Sequence, residues 1–95
     1  MTNIVTQEKL KKYFSITLEA LEKVKSSTMD AARKAQAEDF LDMAQRYFDD
    51  AKHFEKKGEV VLAYGALNYA HAWLDAGARI GLFKVKDSRL FAADD

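Results

Sequence analysis

The sequence contains no cysteine and no proline, and it has only four glycines among 95 residues. The absence of cysteine excludes disulfide frameworks and thiolate metal sites. The absence of proline removes the strongest helix breaker, and few segments show the apolar–polar alternation that is typical of strands. The sequence therefore predicts an all-α domain.

The charge balance also lacks a dominant sign, since 15 basic residues face 15 acidic ones and the net charge is zero. This balance argues against a nucleic-acid-binding protein that works through bulk positive charge, although it leaves a local basic patch possible. The first residues show no basic region followed by an apolar run, so no signal peptide is predicted. We expect one cytoplasmic domain over residues 1–95, with no membrane partner and with nucleic acid an improbable one.

The most apolar stretch is 60–83, which the rest of the chain is expected to surround. On a helical wheel its apolar arc covers roughly 240°, far more than the stripe of an ordinary surface helix. It is long enough to cross a membrane, but Asn68, His71, Asp75 and Arg79 interrupt it, and ionisable groups at bilayer depth are costly. This stretch is therefore predicted to be the central helix of a soluble bundle.

The spacing of apolar residues predicts two further helices. Helix 1 is expected at about 7–25 after a cap at Thr6, and helix 2 at about 30–57. Gly58 suits the end of helix 2, and the short turn there makes helices 2 and 3 antiparallel neighbours. The prediction is a three-helix bundle with a long helix 2–helix 3 hairpin, helix 3 spanning about 60–83, and a C-terminal tail, 84–95, docked on the bundle.

Three glycines lie inside the predicted third helix, at Gly65, Gly77 and Gly81. An interior glycine costs about 1 kcal/mol relative to alanine, so three of them indicate a close approach by a neighbouring element. We expect helix 2 to be that neighbour, with its aromatic side chains filling the space left by the small residues.

The segment 47–58, with YFDDAKHF and KG, and the segment 69–83, with the run LDAG-x-R-x-GLF, resemble a known family. It is the small archaeal family catalogued as domain of unknown function 357, and the resemblance covers roughly residues 7–91. The resemblance implies a compact helical bundle in an archaeal cytoplasm. That family has no established activity to carry over.

A weaker likeness connects the helical hairpin with the nucleotide-binding domains of higher eukaryotes and prokaryotes called HEPN. Some of these domains are ribonucleases with an R-x4–6-H motif, and Arg46 and His53 have that spacing here. The pair lies midway along helix 2, however, and not at the start of a later helix as in those enzymes. We interpret it as a coincidence of spacing.

A line of polar residues follows helix 3 at steps of three and four. This polar strip is the candidate ligand site, and its members are Tyr64, Asn68, His71, Asp75 and Arg79. The strip is either the polar rim of a groove, with His71 as a titrating group, or the solvated face of the helix.

No other constellation supports chemistry. Each histidine has an aspartate within one helical turn, but the two histidines are expected roughly 10 Å apart along the hairpin axis, too far for a shared metal. No nucleophile elbow and no glycine-rich phosphate loop is present. No catalytic residue, metal site or cofactor is therefore predicted.

The remaining signal is a surplus of apolar residues on helix 3 and in the tail. Exposed aromatic patches commonly mark interfaces, so we expect a homodimer or partner contact there, unless helix 1 and the tail cover the patch. The interface candidates are Tyr69, Trp73, Ile80, Leu90 and Phe91. The favoured function is a non-enzymatic protein-interaction or self-association module. The alternative is a HEPN-like domain that binds a small ligand, a nucleotide or RNA through the polar strip.

Overall fold

A computed structural model describes residues 3–92. It contains three α-helices: α1 spans Gln7–Lys25, α2 spans Lys34–Lys56 and α3 spans Val60–Arg79. A single turn of 3₁₀-helix, Ala31–Arg33, leads into α2. The part of the chain described contains no strand, and α2 and α3 make the most extensive contact of any two helices. The predicted all-α three-helix bundle is confirmed.

Helix α1 lies across the α2–α3 hairpin and buries one of its own sides against it. Its first turn is capped by the Thr6 hydroxyl, which accepts a hydrogen bond from the Lys9 amide at 3.0 Å. Such a cap satisfies one of the amides that a helix start leaves without a partner. Its buried residues are Leu10, Thr17, Ala20, Leu21 and Val24.

The α2–α3 hairpin turns at Gly58, which has a φ of +74° that a residue with a side chain rarely adopts. On α2, which precedes the turn, alanines recur at every seventh position, namely Ala37, Ala44 and Ala51, and all three are fully buried. On α3 the corresponding set begins with Ala63 and Ala70. A seven-residue repeat of small residues keeps one narrow seam facing the neighbour and lets two helices approach closely.

Helix α3 ends at Arg79, four residues earlier than the sequence predicted. Gly81 has a φ of +78°, and the Leu82 amide donates to the Gly77 carbonyl at 2.8 Å. This left-handed C-terminal turn reverses the chain and sends Phe83 back towards α3. A glycine with positive φ therefore stops a helix that the apolar pattern alone would have continued.

The chain after α3 is anchored to the loop between α1 and α2. The Asp30 amide donates to the Leu82 carbonyl and the Lys84 amide to the Thr28 carbonyl, both at 2.9 Å. Further along, Leu90 and Phe91 are each only 2% exposed. The predicted docking of the C-terminal tail on the bundle is thus confirmed for its described part, residues 84–92.

Within residues 3–92, no helix has the length and apolarity needed to cross a membrane. The same residues contain no group of three histidine or carboxylate side chains that could hold a metal ion.

Candidate functional site

The polar strip of α3 does not converge on one point. Tyr64 is half-buried and packs edge-to-face on Tyr13 of α1, with ring centroids 5.3 Å apart. Asn68 is exposed, whereas His71 and Asp75 are half-buried between α1 and the tail. Arg79 is exposed at the far end of the helix. The residues of the polar strip therefore lie in at least three different environments. Only His71 and Asp75, in the middle of the strip, resemble a site.

His71 joins three elements of the fold. Its Nε2 lies 2.5 Å from the Leu90 carbonyl oxygen in the tail, and its Nδ1 lies 3.1 Å from the Thr17 hydroxyl on α1. A carbonyl oxygen only accepts, so Nε2 must carry a proton. In the neutral ring Nδ1 then accepts from the Thr17 hydroxyl, which is 1% exposed. Both ring nitrogens are thus engaged within the chain.

Asp75 also binds the tail. Its Oδ1 accepts a hydrogen bond from the Ala92 amide at 3.0 Å and lies 3.7 Å from His71 Nε2. His71 and Asp75, one helical turn apart, are therefore close to each other but are not directly hydrogen-bonded. The carboxylate holds the end of the described tail in place.

An open cleft of about 450 Å³ lies beside His71, between α1 and α3. Asn68, His71 and Asp75 line it together with Lys12 and Arg89, among others. The polar groups of His71, Asp75 and Arg89 are each bonded to another part of the chain. The cleft thus has polar walls, and three of its polar residues, His71, Asp75 and Arg89, already take part in holding the tail.

Two ion pairs fix the tail to the outer side of α1. Lys23 Nζ lies 2.8 Å from Asp87 Oδ2, and Arg89 donates to both carboxylate oxygens of Glu19. The hydrogen bond from Arg89 lowers the pKa of the Glu19 carboxyl, and the hydrogen bond from Lys23 lowers the pKa of the Asp87 carboxyl. The sequence analysis missed these residues and Thr17, because no local spacing connects α1 with a tail more than 50 positions away.

The aromatic flank of α3 is covered mainly by α2, rather than by α1 and the tail. The Trp73 ring packs edge-to-face on Phe40, with centroids 4.9 Å apart, and the Tyr69 ring stacks on Tyr47 at 5.1 Å. Trp73 is half-buried, but Tyr69 remains 62% exposed. An apolar groove of about 340 Å³ runs along the rings of Phe40, Tyr69 and Trp73, with Ala72 and Ala76 on its α3 side.

The five interface candidates fall into two groups. Tyr69, Trp73 and Ile80 lie on the side of the molecule formed by α3. Tyr69 and Ile80 are exposed there, Ile80 to 52%, whereas Trp73 is half-buried. Leu90 and Phe91 lie in the core, so this pair does not present a surface to another molecule. Of the two fates expected for them, folding back on the bundle is the one observed.

The exposed residues of α3 differ in composition from those of α2. Eight residues between positions 60 and 80 are exposed, of which six are apolar and only Arg79 is charged. On α2, ten of the 13 exposed residues are charged. The exposed apolar set, which we call the outer face of α3, consists of Val61, Leu62, Tyr69, Ala72, Ala76 and Ile80.

Comparisons with known proteins identify a family and no activity. The model of the family described as Protein of unknown function (DUF357) matches residues 12–83. No curated protein and no solved structure matches the chain. The matched segment contains α1 from Lys12 onward, α2, α3 and the turn to Phe83, whereas the tail that binds His71 and Asp75 lies beyond it.

Proposed function

Because the chain belongs to this family of unknown function, its role must be argued from its surface, and we propose a non-enzymatic interaction module that pairs with a second copy of itself. The observation that carries the proposal is the outer face of α3, where a continuous apolar surface is exposed to solvent. Contiguous exposed apolar patches on small proteins commonly mark interaction sites. A cytoplasmic location and an archaeal origin stay predictions.

The pattern of side-chain sizes favours a second copy as the partner. Leu62, Gly65, Tyr69, Ala72 and Ala76 follow one another at steps of three and four, the spacing of a helix–helix seam. If two α3 helices cross antiparallel with their two-fold axis at Tyr69, Leu62 of one copy faces Ala76 of the other. The same two-fold symmetry places Trp73 of one copy opposite Gly65 of the other. Large residues therefore meet small ones in both halves of a self-complementary contact.

The absence of charge on this face supports the same arrangement. Two identical surfaces that meet across a two-fold axis bring like charges together, which is unfavourable when the charges are desolvated. Only the exposed Arg79 carries a charge, and it lies at the very end of the helix. A contact made by one helix from each copy is at the lower end of interface sizes, so we expect a dissociation constant in roughly the micromolar range.

The alternative function, a HEPN-like domain that binds a small ligand, a nucleotide or RNA through the polar strip, has less support. His71 and Asp75 are the groups that would recognise such a ligand, and both are bonded to the tail. A ligand in the adjacent cleft would have to displace the tail or rely on Asn68 and Lys12. By contrast, no other part of residues 3–92 covers the exposed side chains on the outer face of α3.

Sedimentation equilibrium over a series of protein concentrations tests the proposed pairing. We expect the wild type to shift from monomer to dimer in the micromolar range. Ala72→Lys should abolish the dimer, because it places a charge in the seam at an exposed residue without altering any ring contact. Tyr69→Lys should do the same through like charges at the two-fold axis.

Leu18→Lys is the matched control, since Leu18 is an exposed apolar residue on α1, 42% exposed and outside the seam. It should dimerise like the wild type. A wild type that stays monomeric throughout the series, or an Ala72→Lys variant that dimerises unchanged, would contradict the proposal.

A further inference from the structure

The C-terminal tail lies on the bundle as a peptide lies in a binding groove. Leu90 and Phe91 are each only 2% exposed. The main chain around them is bound by side chains of α3, because His71 donates to the Leu90 carbonyl. Two residues further on, the Ala92 amide donates to Asp75. Pockets for side chains, combined with hydrogen bonds to the main chain, are the means by which proteins recognise peptides.

Side chains, and not backbone pairing, hold the tail in this groove. Within residues 3–92, the main chain after Val85 makes no hydrogen bond to a main-chain group outside the tail. The chain just before it is held differently, because the Lys84 amide donates to the Thr28 carbonyl at 2.9 Å. The segment 86–92 can therefore leave the groove while the backbone bonds that fix the end of α3 stay in place.

The tail also forms its own turn. The Asp87 carbonyl accepts from the amides of Leu90 and Phe91, at 2.9 and 2.8 Å. The Asp87 carboxylate accepts from the Arg89 amide at 3.1 Å, a pattern that favours a turn. Because these bonds are contained within the segment 87–91, a separate chain with the same residues can form the same turn. A turn that is already formed lowers the ordering cost of binding.

The charges of the tail complement those of α1. Asp87 pairs with Lys23, and Arg89 pairs with Glu19. The side chains of Lys23 and Arg89 are 47% and 59% exposed, so these pairs contribute specificity more than affinity. Ser88, between the two charged residues, is exposed. The groove thus fits the pattern acidic–x–basic–aliphatic–aromatic, in which x is any residue.

The groove and its occupant are separate in sequence. The side chains that bind the tail lie within residues 12–83, the segment that matches the family model. They are Glu19, Lys23, His71 and Asp75. The residues that they bind, 87–92, lie beyond that segment. The matched unit therefore carries these recognition groups without the segment that they recognise.

We propose that the groove between α1 and α3 is a peptide-binding site for another protein, and that the tail is its resident competitor. The partner supplies an unstructured segment with the acidic–x–basic–aliphatic–aromatic pattern, which replaces the tail. Another protein fits this role better than the tail of a second copy. Two copies that exchanged tails would regain identical contacts and would still lose the entropy of association. The proposal does not rest on self-association through the outer face of α3.

The tail should compete strongly because it is tethered. A short flexible linker gives a tethered segment an effective concentration of roughly millimolar. A separate peptide should therefore bind the wild type weakly and bind more tightly once the tail is loosened. Arg89→Glu loosens the tail by placing like charges against Glu19, and it leaves every side chain of the groove in place. This variant should bind the peptide about tenfold more tightly than the wild type.

Fluorescence anisotropy of a labelled peptide with the sequence of residues 84–92, titrated with the full chain, provides the test. Lys86→Glu is the matched control, because it makes the same change in net charge at an exposed position of the tail before the turn. It should bind the peptide like the wild type. A peptide with alanine in place of Leu90 and Phe91 should bind at least about 100-fold more weakly, since it lacks both buried side chains.

A charge exchange identifies the groove as the place of binding. Glu19→Arg also loosens the tail, through like charges against Arg89. It should bind a peptide with glutamate in place of Arg89 more tightly than the unaltered peptide, by about fivefold. Arg89→Glu, which keeps Glu19, should show the opposite preference. Both variants change exposed residues, and circular dichroism verifies that they are folded.

Several results would overturn the proposal. They are no binding of the peptide by the folded Arg89→Glu variant, equal binding by Arg89→Glu and Lys86→Glu, equal binding of the alanine-substituted peptide, and the same peptide preference in Glu19→Arg and Arg89→Glu. Dissociation of a wild-type dimer by the peptide would also overturn it, because the groove would then belong to the tail of a second copy.

Discussion

Gly77 provides the sharpest test of how the end of α3 is built. A Cβ placed on this residue would lie 2.6 Å from Cδ2 and 3.0 Å from Cζ of Phe83, and closer still to Cε2. Gly65, in the same helix, would meet nothing within 4 Å. The expectation that α2 requires the glycines of α3 is therefore wrong, because Gly77 makes room for Phe83, which follows the helix, and Gly81 ends the helix through its positive φ.

The two glycine-to-alanine variants should change stability in opposite directions. In Gly65→Ala the helix gains propensity without a clash, so unfolding should cost about 0.5 to 1 kcal/mol more. In Gly77→Ala the same gain is set against overpacking of a ring that is 1% exposed, which typically costs about 1 to 3 kcal/mol. The ring must retreat by about 1 Å to restore ordinary contact distances, so we place the cost near the upper end of that range. The expected net loss is about 1 to 2 kcal/mol.

Urea unfolding followed by far-ultraviolet circular dichroism measures both variants, at a protein concentration where the chain is monomeric. A separation of about 1.5 to 3 kcal/mol between them corresponds to at least about 6 °C in melting temperature for a domain of this size. Phe83→Leu should make the Gly77→Ala change less costly than it is in the wild type, because the clash is with the ring. Equal stability of Gly65→Ala and Gly77→Ala would refute the assignment of Gly77 to Phe83.

The contacts of the tail give two further predictions. His71→Ala should lower the free energy of unfolding by about 2 to 3 kcal/mol, since it removes two hydrogen bonds and leaves the buried Thr17 hydroxyl without its partner. His53→Ala, at an exposed position, should stay within about 0.5 kcal/mol of the wild type by the same urea assay, and equal effects would contradict the role of His71. Arg89→Gln should destabilise the fold near neutral pH but not in acid: the lowered pKa of Glu19 contributes stability above its ordinary value of 4.5, and this is lost as pH falls through the folded-state value. Unfolding curves of wild type and Arg89→Gln that differ by the same amount at both pH values would exclude that pair as the cause.

Features of the fold that depend on local spacing could be predicted from the sequence. The steps of three and four in apolar residues determine which segments are helical and which side each buries. Thr6 and Gly58 mark boundaries because a hydroxyl cap and a positive φ are properties of single residues. The apolarity of Leu90 and Phe91 predicted that both would be covered, but it left open whether the bundle or another molecule covers them, and the structure shows that the bundle does.

Features that depend on contacts between distant segments could not be predicted. The wheel position of His71 is the same whether it faces solvent, a ligand or a tail, and only the fold shows that Leu90 and Thr17 are its partners. The end of α3 was placed too late because the apolar run continues through Leu82 and Phe83, although their side chains pack from a reversed chain.

The tail-binding side of α3 and its outer face are neighbours that adjoin at Ala72, which lines both the cleft beside His71 and the apolar groove. Asp75 and Ala76 differ by about 100° around the helix, and His71 and Ala76 by about 140°, so the tail lies to the side of the outer face and does not cover it. Loosening the tail would expose Leu90, Phe91 and the polar groups that hold them, while the seam around Tyr69 would keep its present exposure. His71→Ala should therefore destabilise the monomer but leave the dimer's dissociation constant unchanged when both are measured where the chain is folded. An altered dissociation constant would mean that the tail and the outer face are coupled, and that the tail belongs to the interaction surface after all.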